Sequence, residues 1–415
     1  MSRVRRLPAT AVAFCVAGMV ACTATIPSPT PLPTPSPDRE PSANASASSV
    51  AASLRPTASE GGGDLGAELD IQTLDSALTD PMLDFVSDGA SILYSSGRGK
   101  GSGLEAAPDL WRYTPGPDAV PELLWRNPER NHTIPRITGD LGMIAFVEFP
   151  MSGERAWNLW LIPDDGADAI LLDTHPGDAD VSSLVPSVSV YRPLVVWTAF
   201  DRGPQGPVSQ LLMATAPDWE PVLIAERLAA EAELWLPSLY GSSLVYCEVR
   251  YSADRTTDQR FVYLLDLADP AAEPRRLDSS GRATMPLIRD DDILWKEADP
   301  GFNMFNWGTM YHHDLQSGVT SPLSTWPQEY VNYPSMGARF VAWWGADSAK
   351  FGVYDLGFGR ARLIEIQPGD AERSTIRAHV SGDLLVWMEV DNATNTSELR
   401  YAYLPAAGTE RTDDR

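Results

Sequence analysis

The sequence predicts an all-β chain: a seven-bladed β-propeller with four-stranded antiparallel blades, its ring closed by an N-terminal strand. Three observations carry this expectation. An apolar residue followed by an aromatic one recurs seven times, at Leu93-Tyr94, Ala145-Phe146, Val196-Trp197, Val245-Tyr246, Leu294-Trp295, Ala342-Trp343 and Val386-Trp387, with spacings of 44 to 52 residues. Five copies carry a proline nine to eleven residues upstream: Pro135, Pro186, Pro237, Pro286 and Pro334. Between the two lies turn chemistry flanked by apolar runs, such as Ser87-Asp88-Gly89 and Ser381-Gly382-Asp383, which marks β-hairpins.

Residues 1–21 read as a signal peptide. Arg3, Arg5 and Arg6 precede an apolar stretch, Ala9 to Val20, that is too short to span a bilayer. The ending Met19-Val20-Ala21-Cys22 resembles the bacterial lipobox, which implies that Cys22 is lipidated and becomes the mature N-terminus. Residues 22–65 then read as a Pro/Ser/Ala-rich tether. Its prolines alternate from Pro27 to Pro37, favouring extended polyproline II, and Gly61 to Gly63 form a swivel.

The propeller is expected over 66–405. After each aromatic pair comes a third strand, such as Leu159 to Ile162 or Phe261 to Leu265, and usually a fourth, such as Ala169 to Leu172. Units of this length with four strands have the dimension of a propeller blade. The seventh copy lacks a fourth strand, and Ala67 to Leu74, alternating apolar with polar, is expected to supply it. Ala225 to Leu234 is the one candidate helix. Residues 406–415 form a polar tail.

Composition narrows the function. The chain has 415 residues, 32 Lys+Arg against 56 Asp+Glu, and a formal charge of -24. Removing residues 1–21 takes away three arginines and no acid, which moves the charge to -27. Nucleic acid is not an expected partner, because phosphates are drawn by clustered Lys and Arg. With Cys15 in the signal and Cys22 lipidated, Cys247 is the only thiol left, so neither an internal disulfide nor a cysteine metal site can form.

Ser87 to Tyr94 with Asp109 to Tyr113, and the Tyr-x-x-Asp-Leu endings at Tyr263 to Leu267 and Tyr311 to Leu315, resemble the β-propeller repeats of TolB-like proteins. The resemblance covers residues 67–404 at the level of the repeat. It implies an extracytoplasmic binding or scaffold protein.

Two constellations are candidates for a site. Two residues after the repeat aromatic stand Ser96, Glu148, Ala199, Glu248, Glu297, Gly345 and Glu389. The four glutamates would form a partial acidic ring at one rim, fit for a cation, an amine or a basic peptide. Alternatively each caps its own loop or pairs with an arginine such as Arg155 or Arg250. The second constellation is aromatic: Phe302, Phe305 and Trp307 in one loop, Trp326 and Tyr330 in the connection that should reach the same rim. Such rings suit stacking on a sugar or gripping a peptide, or else pack on one another.

Catalytic signals are thin. His132, His175, His312, His313 and His379 are scattered, and His312 and His313 should point to opposite faces of a strand. Asp290 to Asp292 falls at a hairpin turn, and Cys247 should be buried and inert. No cofactor or metal is expected. The sequence thus reads as a membrane-anchored, extracytoplasmic module that binds a protein or glycan. The alternative is a carbohydrate-active or other hydrolytic propeller enzyme using dispersed carboxylates such as Glu148, Glu248 and Glu297.

Overall fold

The recurrent apolar-aromatic pairs are buried on both faces because each lies on a strand sandwiched inside its sheet and between two neighbouring sheets. A computed structural model describes residues 69–74, 82–97, 108–126, 132–150, 156–164, 166–177, 185–254, 258–269, 271–298, 308–323, 332–344, 350–357, 359–365, 373–391, 394 and 396–405. They form seven four-stranded antiparallel sheets. In blade 1 these are an inner strand Met82–Ser87, a second Ile92–Gly97, a third Pro108–Tyr113 and an outer Glu122–Trp125. The inner strands of blades 2 to 7 are His132–Asp140, Val188–Tyr191, Ala232–Tyr240, Ala283–Arg289, Asn332–Met336 and Arg373–Ser381.

Seven apolar clusters fill the seven interfaces between consecutive blades. In each, the repeat aromatic of one blade packs against the blade before it: Phe146 on Leu93 and Leu110, Trp197 on Ala145 and Leu159, Trp295 on Val245 and Val262. The apolar residue preceding the aromatic points the other way, as alternation along a strand requires. Tyr94 of blade 1 meets Leu384 and Val386 of blade 7. An aromatic buries roughly 150–250 Å², about 4–6 kcal/mol each at ~25 cal/mol per Å². This burial outweighs any single polar contact and holds the blades together.

Polar contacts set the register between blades. On the inner strands, Ser189 accepts from the Leu239 N–H of the next blade (3.0 Å), Ser238 from Ile288 (3.1 Å) and Ser335 from Val380 (2.8 Å). His379 occupies the same repeat position, and its Nδ1 accepts from the Ser87 N–H (3.1 Å), joining blade 7 to blade 1.

The upstream prolines mark β-bulges. Register shifts fall at Trp235/Ser238, Thr284/Leu287 and Asn332/Ser335, around Pro237, Pro286 and Pro334. The preceding residues Leu236, Met285 and Tyr333 have φ of 51°, 54° and 45°. A bulge leaves one residue outside the ladder, so the missing proline N–H is not needed there.

The seventh sheet takes its outer strand from the other end of the chain. Gln72–Thr73 pairs antiparallel with Thr396–Tyr403, and the Leu74 N–H continues onto Leu399 O at 2.9 Å. The paired length is shorter than the 67–74 segment expected for it. Leu74 itself is buried between blades 7 and 1. The candidate helix is not formed. Val222–Leu228 is the outer strand of blade 3, and Ala232–Tyr240 the inner strand of blade 4. Pairing with Gly206–Thr215 overrides the helical preference of the Ala, Glu and Leu residues there.

Candidate functional site

Two residues back from the inter-blade acceptor position stand Asp84, Arg136, Ser187, Leu236, Met285, Tyr333 and Arg377, one per blade. In six of the blades they lie in or beside the bulge of the inner strand. The charges acting on Arg136 include those of Asp84 and Arg377, from blades 1 and 7.

Asp84 is the pivot of the polar half. Its Oδ2 accepts from the Ile137 N–H of blade 2 at 2.7 Å, and its Oδ1 accepts from Arg377 Nη1 of blade 7. The carboxylate therefore joins three blades. Burial pushes its pKa up, against Arg377 and Arg136, which pull it down. Burial likewise lowers the pKa of Arg136.

His379, on the same inner strand as Arg377, is kept neutral. Removal from water, reinforced by Arg377, pushes it down to about 3. Its Nδ1 is an acceptor, so the proton of the neutral ring resides on Nε2. The histidine does for blades 7 and 1 what serine does elsewhere, and acts as an inter-blade acceptor rather than a base. A depressed histidine loses stability on acidification: below about 6.5 the unfolded chain takes up a proton that the folded chain refuses until about 3. His379→Asn, whose Oδ1 can accept the same N–H, removes this penalty. Between pH 7.5 and 5 the wild type should lose about 2 kcal/mol relative to the variant. Urea denaturation at the two pH values measures it, and a constant difference would contradict the assignment.

The four glutamates lie on second strands, inside the blades. Glu148, Glu248 and Glu389 are buried, and Glu297 is partly so. Glu297 accepts from the Trp295 indole N–H (3.2 Å) and Glu389 from that of Trp387 (3.0 Å). A residue two along a strand shares the face of the tryptophan and reaches its Nε1. Glu148 takes the Nε1 of Trp160, the cross-strand partner of Phe146, and Asn158 Nδ2. Glu248 pairs with Arg227 of the preceding blade and with Arg250. The Trp-x-Glu spacing is a device for satisfying buried indoles.

Phe302, Phe305, Trp307, Trp326, Tyr330 and Cys22 lie outside the described residues. The strand ends flanking the two aromatic segments, at Ala298, Gly308, Leu323 and Asn332, belong to the face on which the inner strands begin. Asp290, Asp291 and Asp292 stand at the hairpin turn but separate toward Tyr240, Gln316 and His312. His313 bonds Thr320 and His312 bonds Asp292. Cys247 is buried and pushed up to about 12 by desolvation. Among the described residues no group of three His, Cys, Asp or Glu could hold a metal.

The cluster of Asp84 with Arg377 was not anticipated from the sequence. Its signal was available, since the repeat aligns Asp84, Arg136 and Arg377 at one position of the inner strand.

No protein-family model matches this sequence, and no curated protein matches it. Solved structures match the fold. The β-propeller domain of the trilobed protease from Pyrococcus furiosus, described as having an open velcro topology, superposes with a TM-score of 0.53 at 11% identity. The match covers 80% of this chain and 98% of that one. An oligogalacturonate lyase in complex with manganese gives 0.52 at 11% identity over 81% and 96%. Acylaminoacyl peptidase from Pyrococcus horikoshii gives 0.53 at 13% identity over 79% of this chain but 52% of its own. The shared property is the propeller. At these identities nothing follows about chemistry.

Proposed function

We propose that this chain is a lipid-anchored, extracytoplasmic, TolB-like propeller that binds a protein or glycan and performs no reaction of its own. One observation favours binding over hydrolysis: Glu148, Glu248, Glu297 and Glu389 are engaged by indole, amide and guanidinium donors. A retaining or inverting glycosidase needs two carboxyl groups about 5–10 Å apart and facing substrate. Carboxylates committed to buried donors are poorly suited to that work. The binding surface is the face on which the inner strands begin, with Phe302, Phe305, Trp307, Trp326 and Tyr330 as contact residues. Anchoring rests on Cys22.

The test uses the full chain in bacterial cells, with cross-linking and capture. Cys22→Ala should move the protein from the membrane fraction to the soluble one. Trp307→Ala and Trp326→Ala should stay with the membrane and lose the captured partner. Capture untouched by both tryptophan changes would sink the aromatic surface, and unchanged fractionation of Cys22→Ala would sink the lipid anchor.

A further inference from the structure

Blade 7 is built from both ends of the chain, so its three C-terminal strands adjoin blade 1 without a direct chain connection. Two tyrosines meet across that junction. Tyr113 lies on the third strand of blade 1, and Tyr401 on the final strand, opposite Gln72 of the closing strand. Their hydroxyls are 3.2 Å apart, with ring centroids 5.8 Å apart and ring planes inclined by 59°. Tyr401 is buried and Tyr113 half-buried, both in the apolar cluster that holds Leu74. A disulfide does not serve this junction: Cys247, buried in blade 4, is the one thiol among the described residues.

Oxidative coupling of two phenols joins their ortho carbons, which flank the hydroxyl, so the hydroxyl ends of the rings must meet. Tyr113 and Tyr401 meet in this way. In a second tyrosine pair, Tyr263 accepts from Arg250 while the hydroxyl of Tyr246, stacked on it, has no partner. In a third, Tyr240 donates to Asp290 and carries the Arg289 guanidinium 5.0 Å from its ring centroid. A cation on the ring face opposes loss of an electron. Among the described residues no guanidinium lies over Tyr113 or Tyr401. We infer that Tyr113 and Tyr401 form a modification site, at which peroxide acting through a haem peroxidase converts the pair into a dityrosine cross-link. Each phenol loses one electron and its hydroxyl proton. The two phenoxyl radicals join through one carbon–carbon bond between ortho carbons, and each ortho hydrogen moves to the oxygen of its own ring. Two electrons and two protons leave in all, and one hydrogen peroxide takes them up to become two waters. Tyr403, 55% exposed and two residues along on the same face, gives the oxidant an entry from which the radical passes inward. The link fastens blade 7 to blade 1 beside the closing strand. It depends neither on the aromatic surface nor on the lipid anchor proposed above.

The experiment treats the full chain, dilute enough to disfavour coupling between molecules, with hydrogen peroxide and a haem peroxidase. The treated monomer should show dityrosine fluorescence. Mass spectrometry of its digest should find the peptides that hold Tyr113 and Tyr401 joined, with the loss of two hydrogen atoms. The link closes a loop of 288 residues, and restricting the unfolded chain in this way should raise Tm by about 5–10 °C. Tyr113→Phe and Tyr401→Phe should each abolish the joined peptides and the rise in Tm. Tyr191→Phe, in the pair with Tyr240, should leave both unchanged. A treated wild-type monomer without the joined peptides overturns the site, whether or not the variants fold. A link found only between molecules, or only at Tyr191 and Tyr240, overturns it equally.

Discussion

Gly352→Ala is expected to destabilise the protein by about 4 kcal/mol or more, a large effect for the addition of one methyl group. Gly352 lies directly opposite Trp343 across the second and third strands of blade 6. A Cβ there would sit 1.8 Å from Trp343 Cζ2 and 2.0 Å from Cε2, inside the ring. The indole has no room to swing away, since it is buried against Leu294, Met310 and Tyr354. Blades 4 and 5 solve the same cross-strand position with stacked rings, Tyr246 on Tyr263 and Trp295 on Tyr311. Blade 6 instead lays its indole flat on a glycine backbone. The measurement is the urea midpoint of Gly352→Ala, Trp343→Leu and the double variant. The double variant should be more stable than Gly352→Ala alone, because the shortened side chain vacates the space the methyl needs. Independent, additive losses would show that the two residues do not compete for that space.

Asp84→Ala comes next, at about 3 kcal/mol. The change leaves the Ile137 N–H without its acceptor and removes the carboxylate that offsets the charges of Arg377 and Arg136. The value falls at the lower end for a broken buried pair because Arg377 keeps some access to water. Asp84→Asn retains an acceptor for the N–H and should lose roughly half as much, which separates the hydrogen-bond part from the charge part. Adding Arg377→Met to Asp84→Ala should recover stability, since the cost of an unpaired cation disappears with the cation. A loss below about 1 kcal/mol for Asp84→Ala would mean that water, rather than the carboxylate, compensates the arginines.

The architecture was legible because a strand buried on both faces imposes the same demand in every blade. An apolar residue faces one neighbour, an aromatic faces the other, and the pair recurs wherever a second strand does. The closing strand was legible for a similar reason: Leu74 ends an alternating run, and the last copy lacked an outer strand. Polar chemistry on the inner strands follows a different rule. At the position of Asp84, successive blades carry aspartate, arginine, serine, leucine, methionine, tyrosine and arginine. Only arginine recurs, and Asp84 and Arg377 meet across 293 residues of sequence. The glutamates illustrate the converse. Their recurrence was visible, but their partners, an indole for Glu148, Glu297 and Glu389 and the guanidiniums of Arg227 and Arg250 for Glu248, become evident only once the register of the strands is fixed.

The short pairing of Gln72–Thr73 with the final strand has a consequence for how the molecule assembles. Thr73 and Arg400, which bond across that seam, are 327 residues apart. The first strand of the domain to be synthesised must therefore wait for the last one. Bringing ends so distant together costs about 5 kcal/mol in chain entropy on simple polymer scaling, a cost met before the seam contributes anything. Folding dominated by such remote contacts is slow. Until the seam forms, the Leu74 cluster between the seventh and first blades stays open on one side, and every earlier intermediate presents that apolar edge to its surroundings.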